Sequence, residues 1–476
     1  MKSGKLIGNH LEQDSAMSLS GVLVFILSLL LCMGISSVEC KGNLRAGTPD
    51  GSEEWGYVEV RPKAHIFWWH YISPQRAGAD WPIIMWLQGG PGASGTGIGN
   101  FQEVGPLDTQ LQPRNTTWLQ KADLLFVDSP VGTGFSYVEN KTLLSKTDAQ
   151  VAADLLTFLK EFFKNSTLQE SPIFIVGESY GGKPTSMVGL ALSKAIEAGD
   201  IKAKLGGVLL GDSWISPVDY VLSWGPLLKD VSRLELADAE NVNSIALKIK
   251  EQIRKGKYLD ATSSWSELES VIDSASNSVD FYNFLLDSSA DPLSITTTLQ
   301  SMARRSPQRY VKYLTSKQNI GQSGKNFDLS TFMNGGIRKK LQIIPSNIVW
   351  GEQSNAVFQA LANDFMKSAV DVVDELLSRG EKVTIYNGQV DLICATIGTE
   401  AWVQQLKWRG LDGFNSTTRT PLYCNGTVTK GYLKSYKNLY FFWVLGAGHF
   451  IPVDNPCVAL MMLDTVVNSH STNNSM

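Results

Sequence analysis

A serine set between glycines at the end of an apolar run is the first place where residue order implies chemistry. Ile173-Phe174-Ile175-Val176-Gly177-Glu178-Ser179-Tyr180-Gly181-Gly182 puts the pattern G-x-S-x-G between a predicted strand and a predicted helix. The flanking glycines let the backbone turn sharply, so the Ser179 hydroxyl stands clear of the strand end above a helix N-terminus. A serine hydroxyl attacks well only when a base takes its proton. The chain has five histidines, His10, His65, His70, His449 and His470. On a strand-to-helix elbow the partners follow in the order serine, acid, histidine. His10 precedes the apolar N-terminal run, His65 and His70 precede Ser179, and His470 lies in a polar tail. His449 remains, carried by Gly446-Ala447-Gly448 after the predicted strand Leu439–Leu445. The acid is expected after an intervening strand, and Val383-Thr384-Ile385-Tyr386-Asn387-Gly388-Gln389-Val390-Asp391 supplies Asp391. Its task would be to accept one ring N–H of His449 and stabilise the imidazolium. Asp128 precedes the nucleophile, breaks that order, and is read as a structural turn residue.

An acyl transfer through Ser179 also needs two backbone N–H groups aimed at the developing oxyanion. One is expected from Tyr180, directly after the nucleophile. The other is expected from Gly90, in the loop Gln88-Gly89-Gly90-Pro91-Gly92 that follows the apolar run Pro82–Leu87. That loop does not read as a phosphate cradle, because no Lys-Ser/Thr follows and Pro91 lacks a donor.

The elements that must position these groups alternate. Trp55–Val60 and Ala64–Tyr71 read as a hairpin around Arg61-Pro62-Lys63. Strands are predicted at Pro82–Leu87, Asp123–Val127, Ile173–Val176, Gly206–Leu210, Lys382–Tyr386 and Leu439–Leu445, with helices at Thr147–Phe163, Pro184–Ala198, Phe358–Arg379 and Ala395–Trp408. Such alternation means a mostly parallel central sheet with helices on both faces, and with the Ser179 elbow and the order serine, acid, histidine an α/β-hydrolase fold is expected. Residues 216–335 break the rhythm with helical, charged patterns at Leu234–Lys257 and Trp265–Ile272, and are expected to form an inserted helical cap. The organisation is therefore 41–215 and 336–465 as two parts of one core, 216–335 as the cap, and 466–476 as a polar tail. The net charge of −4, from 42 Lys plus Arg and 46 Asp plus Glu, supplies no basic field for nucleic acid. The 43% hydrophobic fraction excludes a disordered chain. No H-E-x-x-H or C-x-x-C is present, and no metal or cofactor is expected.

Residues 1–40 read as a targeting segment. Val22–Ile35 is apolar for 14 residues, short for a bilayer span of about 20 but suited to a signal peptide, with Gly34, Ser36 and Ser37 as small residues for cleavage. Met17 offers an alternative start, and a retained signal-anchor is the alternative to cleavage. After cleavage no stable membrane span remains. Asn-x-Ser/Thr sequons at Asn115, Asn140, Asn165, Asn415 and Asn425, with Asn473 in the tail, fit a glycoprotein that is secreted or lysosomal/vacuolar. In such surroundings one disulfide is expected among Cys394, Cys424 and Cys457, with the pairing left open.

WLQGGPG from Trp86 to Gly92, GPL from Gly105 to Leu107, FVDSPVGTGFSY from Phe126 to Tyr137, GESYGG around Ser179 and GAGH at His449 together resemble the serine carboxypeptidase family. The resemblance runs from about Trp55 to Leu463, and GDSWISPVDYVLSWGP from Gly211 to Pro226 is similar to its retinoid-inducible (vitellogenic-like) branch. It implies release of C-terminal residues from peptides, with peptide or protein C termini as partners. It also implies that Gln88, Gly89, Glu103 and Glu178 hold the substrate's terminal carboxylate. Two positions depart from the family pattern, with Gln88 where Asn is usual and Ala93 where Cys is common. An anion beside an oxyanion hole is otherwise unhelpful. Two adjacent carboxyls that share a proton, however, can donate a hydrogen bond to an incoming carboxylate. Two other functions stay open at this point, an acyltransferase on the same scaffold and a catalytically silent binding protein.

Overall fold

Ile83–Leu87 is apolar throughout and Asp123–Val127 is apolar after its first residue, and every position of both is buried. A strand buried on both faces belongs at the middle of a parallel sheet covered by helices. The computed structural model describes residues 44–288, 328–424 and 426–468. The Val22–Ile35 run, the middle of the expected cap, Asn425, Asn473 and the end of the polar tail lie outside the described residues.

The strands are β1 (Arg45–Gly47), β2 (Glu53–Arg61), β3 (Ala64–Tyr71), β4 (Ile83–Leu87), β5 (Asp123–Val127), β6 (Tyr137–Val138), β7 (Pro172–Glu178), β8 (Lys204–Gly211), β9 (Val383–Gly388), β10 (Thr420–Tyr423), β11 (Thr429–Tyr436) and β12 (Leu439–Val444). They form one sheet in the order β1-β2-β3-β5-β4-β7-β8-β9-β12-β11-β10, with β6 on β3. From β5 to β12 every pairing is parallel, and both outer portions are antiparallel. The C-terminal ends of the central strands therefore lie on one edge, where crossovers leave room for a site.

The principal helices are α1 (Asp148–Phe162), α2 (Gly182–Glu197), α3 (Pro217–Asp230), α4 (Leu236–Arg254), α5 (Tyr258–Ala275), α6 (Asn355–Phe365), α7 (Val370–Ser378), α8 (Thr396–Val403) and α9 (Pro456–Asn468). Thr147 and Ser354 start α1 and α6 by accepting the N–H groups of Gln150 and Val357, which satisfies donors the first turn leaves over. Helix α4 buries Ala239, Val242, Ala246 and Ile249, the stripe expected of a one-sided helix. Among the described residues no helix is long and apolar enough to cross a membrane.

Three local readings differ from the structure. The single helix expected over Phe358–Arg379 is two, α6 and α7. The carbonyl of Phe365 accepts Trp214 Nε1 at 3.1 Å, that of Asp364 accepts Lys183 Nζ at 2.7 Å, and the Ala369 N–H is taken by Ile215 at 2.8 Å. The helix stops because distant groups capture its last carbonyls, while Met366 and Ala369 stay buried and keep the apolar pattern running. Helix α8 ends at Val403 rather than Trp408, since Asp374 accepts the backbone N–H groups of Lys407 and Trp408. Strands β10 and β11 escape a reading by hydrophobic pattern because most of their residues are only partly buried. Cys424, just after β10, is bonded to Cys457 in α9, and Cys394 is a buried thiol.

Candidate active site

Strand β7 runs into a tight turn, Ser179–Gly181, and then directly into α2. Ser179 sits at φ 58°, the left-handed region that a non-glycine residue enters only when its surroundings hold it there. The Trp214 N–H donates to the Ser179 carbonyl at 2.8 Å. A Cβ on Gly181 would stand 2.4 Å from the Leu87 carbonyl oxygen, so the turn packs on the end of β4 only without a side chain. Behind it, Lys183 is fully buried 2.6 Å from Asp148, and the Tyr180 hydroxyl donates to the same carboxylate. Lys183 also reaches the α6 carbonyls, so the helix that follows Ser179 is tied to the element that carries Phe365.

Asp391 follows β9 and His449 follows β12, which pair in parallel up to Gly388 and Val444. Both side chains are fully buried, and His449 Nδ1 lies 2.9 Å from Asp391 Oδ2. With Nδ1–H donated to the carboxylate, Nε2 is the basic nitrogen. The other carboxylate oxygen accepts the Cys394 N–H at 3.3 Å. The His449 N–H donates to the Tyr282 carbonyl at 2.8 Å, and Val390 N–H to that of Ala447 at 2.9 Å, so both loops are fastened. Ser179, Tyr180 and Gly90 line one cleft with Trp214, Trp265, Tyr282, Gln353, Phe365 and Ile393. Gly89 abuts Ser179, and a Cβ there would meet Ser179 Cβ at 2.6 Å.

Gln88, Glu103 and Glu178 are buried together. Trp86 Nε1 donates to Gln88 Oε1 at 2.7 Å, which orients the amide. Gln88 Nε2 then donates to Glu103 at 3.0 Å and Glu178 at 2.7 Å. The extra methylene of Gln88 thus leaves its donors spanning the carboxyl pair. Burial pushes the Glu103 carboxyl up from 4.5 to about 7, against the lowering effect of its hydrogen bonds to Glu178 and Gln88. Asp128 stands apart from Asp391 and His449, accepting Ser94 Oγ, Thr96 Oγ1 and the N–H groups of Thr96 and Phe135. Of the expected glycan acceptors, Asn115, Asn140 and Asn415 are exposed and Asn165 is half-buried. Asp391, Cys394 and His449 bring three ligand-type atoms within 4.8 Å of one another, but the carboxylate already binds the imidazole and the Cys394 N–H.

Reading the sequence did not identify Lys183, Asp148, Tyr282 or Trp265. Lys183 and Asp148 lie within helical patterns, with no local sign of their mutual burial. Asp212 had one signal, its place at the C-terminal end of a central strand.

The chain resembles known proteins over nearly all of its described length. The family model described as serine carboxypeptidase matches residues 45–469. Serine carboxypeptidase-like 51 of Arabidopsis thaliana is 55% identical over 455 residues, 94% of this chain and 98% of that protein. The retinoid-inducible serine carboxypeptidase of Mus musculus is 48% identical over 425 residues, 88% of this chain and 92% of that protein. The crystal structure of a prohormone-processing carboxypeptidase from Saccharomyces cerevisiae superposes with a TM-score of 0.72, at 23% identity, over 89% of this chain and 93% of that one, and so speaks for the fold. With an α/β-hydrolase sheet, a serine elbow and a family match that spans both, the chain belongs to the serine carboxypeptidase family.

Proposed function

We propose that this chain removes residues from peptide C termini through an acyl-enzyme on Ser179. The observation that carries the reading is the buried Asp391–His449 pair, 2.9 Å apart, on the sheet edge where the Ser179 elbow also lies. Ser179 Oγ attacks the scissile carbonyl carbon as His449 Nε2 takes its proton. The N–H groups of Gly90 and Tyr180 stabilise the oxyanion. When the C–N bond breaks, His449 returns the proton to the leaving amine, and water then cleaves the ester by the same route. Asp391 holds the imidazole tautomer throughout.

Gln88, Gly89, Glu103 and Glu178 hold the terminal carboxylate of the substrate. A carboxylate repels two ionised glutamates but accepts a hydrogen bond from a pair that keeps one proton, and burial favours that proton. The apolar cleft walls, Trp214, Trp265, Phe365 and Ile393, suit apolar side chains next to the scissile bond. The described residues of the expected cap, 216–288, reach the cleft, since Trp265 of α5 and Tyr282 lie on its wall. The signal segment read in the sequence and the surface sequons support a mature protein of the secretory pathway, secreted or lysosomal/vacuolar.

The test is turnover of a peptide with a free C terminus by Ser179→Ala and His449→Ala. Each variant should lose on the order of 10⁶ in kcat, and the double variant little more, because the groups act as a unit. Turnover by Ser179→Ala at the wild-type rate sinks the reading.

A further inference from the structure

Behind the Asp391–His449 pair lies a second buried acid. Asp212 follows β8, is 1% exposed, and sits at φ 41°. Its N–H donates to the Tyr386 carbonyl at 2.9 Å, and its Oδ1 accepts the Gly388 N–H at 2.8 Å. The residue is thereby pinned to β9, just ahead of Asp391. Its Oδ2 is buried with no N–H or hydroxyl donor in reach. The Asp391 carboxyl, three residues beyond the Gly388 that Asp212 holds, is close enough to act on the Asp212 carboxyl. Two carboxylates are both acceptors, so the contact exists only with a proton between them. Both oxygens of Asp391 already accept, from His449 Nδ1 and from the Cys394 N–H, so the proton of the pair is best carried on the Asp212 side.

The surroundings agree. Asp391 and Asp454, from the short helix Ile451–Asp454, raise the proton affinity of Asp212, and the buried Tyr386 hydroxyl and Cys394 thiol on the neighbouring segment are acids too. Burial is the largest cause, and it acts in the same direction.

We propose that Asp212 is a positioning residue that stays protonated and donates its Oδ2–H to the Asp391 carboxylate, so that the acid which orients His449 is itself held from behind. The inference rests on the reading of Asp391 and His449 as the acid–base pair. A donor at Asp391 fixes the plane of the carboxylate, and with it the aim of the imidazole, on which proton transfer depends.

Asp212→Asn keeps the acceptor for Gly388 N–H and presents an N–H where the acid presented O–H. Asp212→Leu keeps neither. The Asn variant should retain kcat within about threefold, whereas Leu should lose about 10- to 100-fold in kcat with little change in KM, the loss of one hydrogen bond to a charged group. Melting supplies a readout that a structural role alone would not move. Above the ordinary aspartate value of about 3.9, the wild type must take up a proton to fold and the Asn variant need not. The melting temperature of Asp212→Asn should therefore rise relative to wild type as pH goes from about 4 to about 7. A gap that stays constant with pH overturns the proposal, as does a kcat loss in Asn equal to that in Leu. If the Leu variant does not fold, the pH dependence of the Asn–wild-type gap decides alone. Melting does not depend on which residue is the nucleophile, so failure of the serine mechanism would appear separately, as turnover in Ser179→Ala.

Discussion

Replacing Glu103 and Glu178 together by glutamine should free recognition of the substrate's C terminus from pH. In the wild type, burial raises Glu103 from 4.5 to about 7, so the pair keeps its proton in acid and gives it up as pH rises through that value. A peptide's terminal carboxylate is ionised above about pH 3.5 and needs that proton as a donor. Binding is therefore present below about pH 7 and lost above it. Beyond that point the protonated fraction falls about tenfold per pH unit, so by about pH 9 close to one-hundredth remains. The assay compares kcat/KM for one peptide as the free acid and as the C-terminal amide across about pH 5 to 9. His449 serves both substrates, so its titration cancels in the ratio. The acid-to-amide ratio should fall steeply above about pH 7, mainly through KM, because the carboxylate contact already exists in the ground state. In the double variant, carboxamides offer permanent donors and the ratio should be flat. A constant wild-type ratio, or a double variant with the wild-type slope, refutes the carboxylate-binding role of this pair.

Gly89→Ala should lower kcat by about 100-fold while circular dichroism stays native, because its Cβ would lie 2.6 Å from Ser179 Cβ and must displace the nucleophile; an unchanged kcat contradicts the packing. Lys183→Met leaves Asp148 buried without its cation, and should cost about 3–5 kcal/mol in denaturant unfolding. A loss below about 1 kcal/mol would mean that the pair stabilises little. Protein from a eukaryotic host should begin after Ile35 and lose apparent mass with an N-glycosidase; intact residues 17–40 in the purified chain would favour a retained anchor.

Much of the candidate site was legible in the order of residues. Ser179, Asp391 and His449 each follow a β-rich run through a turn of small or polar residues, and those signals are local. The same holds for the central strands, whose short apolar runs between turns fit a sheet covered on both faces. The family pattern added Gln88, Glu103 and Glu178 by their positions in shared motifs.

What stayed hidden depends on groups far apart in the chain. The break between α6 and α7 comes from Lys183 and Trp214, 181 and 151 residues from the carbonyls they hold, and no periodicity within the helix records them. The choice of Cys424 with Cys457 rests on the meeting of β10's end with α9, and β10 itself lacks the alternation that would announce it. The aim of Gln88 is set by the Trp86 indole, and the proton that Asp212 must share is set by the closeness of two strand ends. Sequence alone determined which side chains are candidates for the chemistry, because turns and strands are specified by near neighbours. Only the tertiary structure decided their orientation and their burial, because hydrogen-bond partners exist only once distant segments meet.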